Sequence, residues 1–191
     1  MRPRWPVESK VYWCPSCNVP LLTDRCARCG SKGVEVRLNP PADARPALGV
    51  DHERLELALK NEFQSPKAYR AVIGGRNHTV LLNKVPYLDE MREVVVDGVV
   101  VGKVYYEPVE GKWRFRLTYE GARRILEEGL TTPLKLEPGE RLSRARILQH
   151  GGYEPGEQVV ITDPNGEPLG VGYSTGSRIR VWNVFYSKRG P

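Results

Sequence analysis

The chain contains four cysteines, and they stand as two Cys-x-x-Cys pairs separated by eight residues: Cys14, Cys17, Cys26 and Cys29. A tight turn directs both thiolates of a pair to one side, and two facing turns supply four sulfurs at about 2.3 Å from a tetrahedral metal ion. Two disulfides would instead require an oxidising compartment, and residues 1–10 lack the apolar segment of a secretory signal. The spacing therefore predicts a metal site, with zinc as the expected metal and an iron centre as the less favoured alternative.

Four thiolates fill the coordination shell, whereas a catalytic zinc keeps one position open for water. We therefore expect one structural Zn²⁺ per chain, whose binding energy becomes folding energy for a segment with few apolar residues. Gly30, directly after Cys29, allows the positive backbone torsion with which the chain leaves the second turn. The motif resembles a zinc ribbon, which we expect to occupy residues 1–38.

The composition allows packed cores beyond this ribbon, because 40% of the 191 residues are hydrophobic. The sequence shows no apolar run of about eighteen residues, so we expect no membrane span and a cytoplasmic location. The net charge of +6 suggests a polyanionic partner. The positive charge is concentrated towards the chain ends, and no acidic residue follows Leu169.

Residues 39–50 include three prolines and are predicted to form an extended linker. After the linker, Asp51 is a plausible N-cap for a helix that runs to about Phe63. Asp97-Gly98 joins two β-rich runs and predicts a hairpin over residues 93–106.

A further strand over residues 112–117 extends the hairpin sheet. The next helix is predicted from about Tyr119 to Glu128, with Thr118 as its cap and Gly129 as its stop. Residues 51–130 therefore form an α+β middle domain.

The C-terminal third, residues 131–191, is predicted to be a β-rich domain. Strands over 158–162 and 167–173 flank a tight turn. Gly170 and Gly172 leave one side of the second strand bare, so that another backbone or a ligand can approach closely.

The final run, from Ser177 to Lys188, alternates in character. One face, predicted to be core, holds Ile179, Val181 and Phe185. The other face interleaves cations with aromatic rings, a combination that neutralises phosphates and stacks on unpaired bases. Its members are Arg178, Arg180, Trp182, Tyr186 and Lys188. The alternative is that Trp182 and Tyr186 pack against the middle domain and the arginines are an ordinary solvated surface.

The stretch YEPGEQVVITDPNGEPLGVGYS, residues 153–174, resembles the signature of PUA domains. This resemblance implies a C-terminal PUA-like β-barrel. It also implies that residues 139–151 form the helix and following loop that in PUA domains are part of the RNA-contacting surface. The RNA-binding candidates carried by this resemblance are Arg141, Arg144, Arg146, Gly151 and Gly152.

A second resemblance covers the whole chain. Four segments follow one another in the same order as in archaeal phosphoadenylylsulfate reductase-like proteins, and they resemble the corresponding segments there. They are CPSCNVPL, PPADARPA at residues 40–47, LNKVP at 82–86 and VDG at 96–98. The sequence lacks the SGG-x-D-S loop with which those proteins hold ATP phosphates. The resemblance therefore implies an archaeal accessory module and no reductase chemistry.

His52, His78 and His150 are scattered, and no serine or cysteine stands in a nucleophile context, so we expect no enzyme activity. The sequence predicts an α+β protein composed of a zinc ribbon, a middle α+β domain and a PUA-like barrel. Two functions follow as hypotheses. The first is binding of structured RNA, tRNA or rRNA, as an accessory to RNA modification or sulfur-related metabolism. The alternative is a protein-interaction subunit of a separately encoded ATP-using enzyme of the reductase-like kind.

Overall fold

A computed structural model describes residues 10–39, 42–85, 91–140, 142, 147–149 and 152–185. These parts of the chain form three β-sheets and three α-helices. In chain order the elements are β1 (Val11–Cys14), β2 (Val19–Leu21), β3 (Val34–Val36), β4 (Ala44–Pro46), α1 (Gly49–Phe63), α2 (Ala68–Ile73), β5 (Val80–Lys84), β6 (Arg92–Val96), β7 (Val99–Glu107), β8 (Lys112–Leu117), α3 (Tyr119–Glu127), β9 (Leu134–Lys135), β10 (Ile147–Gln149), β11 (Gln158–Thr162), β12 (Pro168–Ser174) and β13 (Arg178–Val184). The predicted mixture of α and β structure is confirmed.

The middle sheet is antiparallel, with the strand order β4-β5-β6-β7-β8. Asp97 and Gly98 form the predicted two-residue hairpin loop, and their φ angles of 48° and 83° are those of a primed turn. The first strand of this sheet, β4, lies in the predicted linker, so part of residues 39–50 belongs to the middle sheet.

Each face of the middle sheet contributes residues to a buried core. Leu82 and Val94 face the helices and belong to the largest core, together with Leu55 and Phe115. Their neighbours Leu81 and Val95 face the other way and pack against the ribbon residues Val11, Trp13 and Val36. The period-2 alternation of a strand therefore sends adjacent residues into two different cores.

The helices begin and end near the predicted positions. Asp51 lies inside the first turn of α1 instead of at the N-cap, which is Leu48, and its carboxylate accepts a hydrogen bond from the Leu48 N–H over 2.8 Å. Helix α3 follows Thr118 as predicted, and Gly129, with φ of 63°, lies just beyond its end. Among the described residues, no helix combines the length and the hydropathy of a membrane-spanning segment.

The C-terminal sheet has the order β10-β13-β12-β11-β9, and the predicted hairpin between β11 and β12 is confirmed. A Cβ atom built on Gly170 would lie 2.5 Å from the Asn183 carbonyl oxygen, and one on Gly172 would lie 2.7 Å from the Arg180 carbonyl oxygen. The bare side predicted for these glycines is therefore occupied by the backbone of β13. Within the described residues β9 and β10 are the two edges of this sheet, which stays open, and the PUA-like barrel is not confirmed.

A β-bulge interrupts the alternation of β13. Val171 pairs with Asn183 and Gly172 pairs with Val181, so Trp182 is the extra residue. Beyond the bulge Val184 packs in the C-terminal core with Ile179 and Val181. The prediction that Phe185 shares their face was wrong: it packs, with Trp182, against the largest core.

The middle domain and the C-terminal sheet share that core, because Val160 and Val171 are buried in it with Phe115. The fully buried Gln158 side chain adds polar contacts at the boundary. Its amide donates to the Phe115 carbonyl over 2.8 Å, and its oxygen accepts from the Leu117 N–H over 3.1 Å. Gln158 thereby satisfies backbone groups at the edge of β8 that another strand would otherwise have to pair.

Candidate metal centre and nucleic-acid interface

The four cysteine sulfurs converge at the end of the ribbon, and all lie within 4.8 Å of one another. The Sγ atoms of Cys14 and Cys29 are 3.5 Å apart, and those of Cys17 and Cys26 are 3.9 Å apart. Four sulfurs at about 2.3 Å from a central tetrahedral ion would be separated by about 3.8 Å. The cluster therefore has the dimensions of a tetrahedral metal site and could hold a metal ion.

The two cysteine turns have the same local geometry. In the first turn the Asn18 N–H donates to the Cys14 carbonyl over 2.9 Å, and in the second the Gly30 N–H donates to the Cys26 carbonyl over 2.8 Å. Both closing residues have positive φ, 52° for Asn18 and 74° for Gly30. Glycine and asparagine are the residues that adopt this conformation most readily, which explains their presence one residue after each second cysteine.

The thiol groups also affect one another's ionisation. Hydrogen bonding with the Cys29 thiol, followed by desolvation and the other two thiols, raises the pKa of Cys17 to about 12. Hydrogen bonds from Ser31 lower the pKa of Cys29 to about 6. Four thiolates this close together repel one another, and a bound cation would stabilise all of them.

The segment that leaves the ribbon is anchored on the middle sheet by a buried carboxylate. Glu93 accepts a hydrogen bond from the Asn39 N–H over 2.8 Å and another from the Asn83 amide over 2.7 Å. The Asn83 amide also donates to the Asn39 carbonyl over 3.1 Å. This network holds the ribbon exit in one position against β5 and β6.

The predicted RNA-binding residues fall into two groups. Arg178 and Arg180 are exposed on the same face of β13, and Gly152 is exposed in the segment before β11. Apart from Trp182, the other predicted positions lie outside the described residues: Arg141, Arg144, Arg146, Gly151, Tyr186 and Lys188.

Trp182 has a different environment from its two arginine neighbours. Its ring packs against the largest core, and the Arg116 guanidinium lies 4.4 Å from its centroid. The same guanidinium lies 4.4 Å from the Tyr105 ring centroid, so it is held between two aromatic rings. This placement agrees with the alternative that Trp182 packs against the middle domain, and one face of its ring is already in contact with a cation.

A groove that the sequence interpretation missed lies beside Trp182. It has a volume of about 250 Å³. Lys103 from β7 and Arg116 from β8 line it together with Trp182 and Asn183 of β13. The sequence feature that could have indicated this groove is the period-2 alternation of KWRFRL, residues 112–117, which places Arg114 and Arg116 on one face of β8.

No protein-family model matches the chain. An uncharacterized protein of Methanocaldococcus jannaschii is 32% identical in an alignment of 185 residues, and the match covers 91% of this chain and 37% of that protein. The chain thus spans little more than a third of the length of this relative. The resemblances to PUA domains and to reductase-like proteins stay predictions.

The crystal structure of a hypothetical protein from the hyperthermophilic archaeon Pyrococcus horikoshii OT3 is similar to this chain, with a TM-score of 0.53 and 14% sequence identity. The match covers 76% of this chain and 96% of that one. At this level of identity the comparison shows a shared fold, and it carries no function across.

Proposed function

We propose that the protein binds structured RNA, tRNA or rRNA, as an accessory to RNA modification or sulfur-related metabolism, and has no catalytic activity of its own. The observation that carries the proposal is the exposed pair Arg178 and Arg180 on β13, the strand whose following residues Trp182 and Asn183 line a groove together with Lys103 and Arg116. We call Arg178 and Arg180 with the adjoining groove the β13 surface; it contains cations from both the C-terminal sheet and the middle sheet. Because arginine forms paired hydrogen bonds with phosphate oxygens, such a surface suits a folded RNA backbone.

The ribbon supplies a second candidate contact in this proposal. We assign one structural Zn²⁺ to the four cysteines, since a closed Cys₄ shell with these sulfur spacings suits zinc. Arg25, Arg28 and Lys32 are exposed on or near the second cysteine turn. Their charge would add to phosphate binding if the RNA reaches the ribbon.

The proposal is tested by measuring RNA binding as a function of salt concentration. The double variant Arg178→Gln/Arg180→Gln removes two exposed cations from β13, and Arg70→Gln/Arg76→Gln removes two exposed arginines on and just after α2. Both variants change the net charge equally. We expect the β13 variant to bind total tRNA about tenfold more weakly and to reduce the slope of log affinity against log salt by about 1.4 to 1.8. Equal affinities and slopes for the two variants would refute the β13 surface as the RNA site.

A second candidate function is docking on a separately encoded ATP-using enzyme. The observation that favours it is the Methanocaldococcus jannaschii relative, in which the matched region is accompanied by further polypeptide. The test is affinity purification of the tagged protein before and after ribonuclease treatment. Retention of an ATP-using enzyme after ribonuclease supports this candidate, and recovery of RNA without such an enzyme contradicts it.

A further inference from the structure

A second concave surface lies where the N-terminal half of α1 crosses the middle sheet, and it is separate from the β13 surface. It has a volume of about 460 Å³, which is within the range of small-molecule sites. The residues of its wall that matter here are Arg45, Asp51, Arg54, Arg92, Tyr106 and Trp113.

Two aromatic rings form one side of this cavity. Tyr106 on β7 and Trp113 on β8 are cross-strand partners, and their ring centroids are 5.4 Å apart with an interplanar angle of 63°. Tyr106 is 36% exposed although its neighbours on the sheet are largely buried. An aromatic side chain that stays accessible within a cavity offers a stacking surface for a planar ring.

Guanidinium groups also line the cavity. The Arg54 guanidinium lies 5.2 Å from the Trp113 ring centroid, and its side chain is 47% exposed. Arg45 is held in a two-point contact with Asp51 at 2.7 and 3.0 Å, which fixes its orientation while half of its side chain stays exposed. Counted over the described residues, Arg92 is the third cation of the lining and Asp51 is its one carboxylate.

A planar stacking surface beside fixed guanidinium groups matches one class of ligand. Arginine recognises phosphate by paired, charge-assisted hydrogen bonds, and tyrosine and tryptophan stack on nucleobases with little dependence on sequence. The partial positive charge of the first turn of α1, which borders the cavity at Asp51, adds to the attraction for an anion. A neutral ring would gain nothing from the positive charge of the cavity, and a bare phosphate would make no stacking contact with Tyr106.

We propose that this cavity binds a nucleotide, with the base against Tyr106 and the phosphate at Arg54 and Arg45. The nucleotide has two possible sources: a free mononucleotide, or one unpaired nucleotide of a bound RNA. The inference is independent of the β13 surface, since no residue tested there lines this cavity.

The test is calorimetric titration of the zinc-loaded full chain with four probes: AMP, adenosine, ribose 5-phosphate and a single-stranded adenosine oligomer of about ten nucleotides. We expect saturable binding of AMP or of the oligomer with a Kd at or below about 1 mM. Arg54→Gln should weaken it about tenfold and Tyr106→Leu about fivefold or more. Arg76→Gln is the matched control, because it removes one exposed arginine that does not line the cavity.

Binding of AMP comparable to that of the oligomer identifies a free nucleotide as the ligand. An oligomer that binds much more tightly than AMP, with both weakened by Arg54→Gln, identifies an RNA nucleotide. The proposal is overturned if neither probe binds, if adenosine or ribose 5-phosphate binds as tightly as AMP, or if Arg54→Gln behaves like Arg76→Gln. Circular dichroism of each variant establishes that it has folded.

Discussion

The side-chain amide of Asn18, in the first cysteine turn, donates a hydrogen bond over 3.0 Å to Asp97 Oδ1, in the hairpin loop between β6 and β7. Asp97 also accepts from the Thr79 N–H over 3.1 Å and contacts the His78 ring. The Asn18 side-chain oxygen in turn accepts from Trp13 Nε1 over 2.8 Å. The tip of one hairpin is therefore a fixed attachment point for the ribbon.

Gly98 provides the sharpest test of this attachment. A Cβ atom built there would lie 2.5 Å from Trp13 Cγ, whereas one built on Gly111 would meet nothing closer than 3.8 Å. Both glycines have positive φ, 83° and 64°, so both substitutions to alanine incur a similar backbone cost of about 1 kcal/mol. We expect Gly98→Ala to lower the free energy of unfolding by about 1 to 3 kcal/mol more than Gly111→Ala.

Urea titration with intrinsic fluorescence measures this difference between the two glycine variants. The ribbon would be only loosely attached to the hairpin if both variants lost the same stability.

Metal removal should unfold the ribbon. We expect one equivalent of zinc per chain in protein prepared without chelators, and loss of that zinc in Cys29→Ser because three thiolates no longer close the shell. Ser16→Ala, an exposed change inside the first turn, should retain the metal. Elemental analysis of the purified proteins gives the stoichiometry. A zinc content near zero in the unaltered protein would contradict the metal assignment.

Zinc affinity should fall as the pH is lowered. Metal binding requires all four thiolates, and contacts with neighbouring thiols raise the pKa of Cys17 to about 12, so at neutral pH binding must displace at least this proton. Below about pH 6, where the Cys29 thiolate also becomes protonated, a further proton competes with the metal. Competition with a zinc-sensitive dye at several pH values measures the trend, and affinity that does not change with pH would contradict it.

Replacing only one member of the buried ion pair between Arg114 and Glu62 should strongly destabilise the protein. Both side chains are nearly inaccessible, with exposures of 7% and 1%, and Arg114 also donates to the Gly156 carbonyl over 2.9 Å. Burial lowers the pKa of Arg114, but its contacts with Glu62 outweigh this effect and raise it. We expect Arg114→Leu to lower the free energy of unfolding by about 3 to 5 kcal/mol, because it leaves a carboxylate buried without its partner.

The double variant Glu62→Leu/Arg114→Leu should be more stable than Arg114→Leu alone, since no unpaired charge remains. Chemical denaturation of the single and double variants decides the point. Equal stabilities would contradict the view that the unpaired Glu62 carboxylate is the main source of the loss.

The contact between Asp51 and Arg45 should contribute stability that depends on pH. Hydrogen bonding to Arg45 lowers the pKa of Asp51 in the folded protein despite burial. Its contribution is therefore complete above the unfolded value of about 3.9 and is lost as the pH falls through the lower folded value. We expect Asp51→Asn to cost about 1 to 2 kcal/mol at neutral pH and less in acid.

The difference in unfolding free energy between this variant and the unaltered protein isolates the effect of Asp51, since metal release in acid affects both proteins alike. A difference that stays constant down to about pH 3 would contradict the pKa argument.

Local signals in the sequence predicted much of the fold and of the metal site. The dipeptide Asp97-Gly98 favours a tight turn by its residue types, and the α3 segment has one apolar stripe. The spacing of the cysteines indicates that four sulfurs come together. Each of these features depends on residues close in sequence, for which steric and hydrogen-bonding preferences are strong.

The features that were missed depend on residues distant in sequence. The bulge at Trp182 exists only in the pairing of β12 with β13, and it reverses the side-chain alternation that a regular strand would have. The arginine-lined cavity joins Arg45 of β4 to Trp113 of β8 across the whole width of a sheet. Single-strand periodicity contains no information on such neighbours.

The packing of the ribbon against Leu81 and Val95 has a consequence for how a metal-starved cell would handle this protein. If the ribbon unfolded, Val11, Trp13 and Val36 would leave the sheet, and an apolar strip would become accessible to water. Exposed strips of this kind drive aggregation and attract chaperones and proteases. The supply of the metal would then set how much folded protein the cell retains.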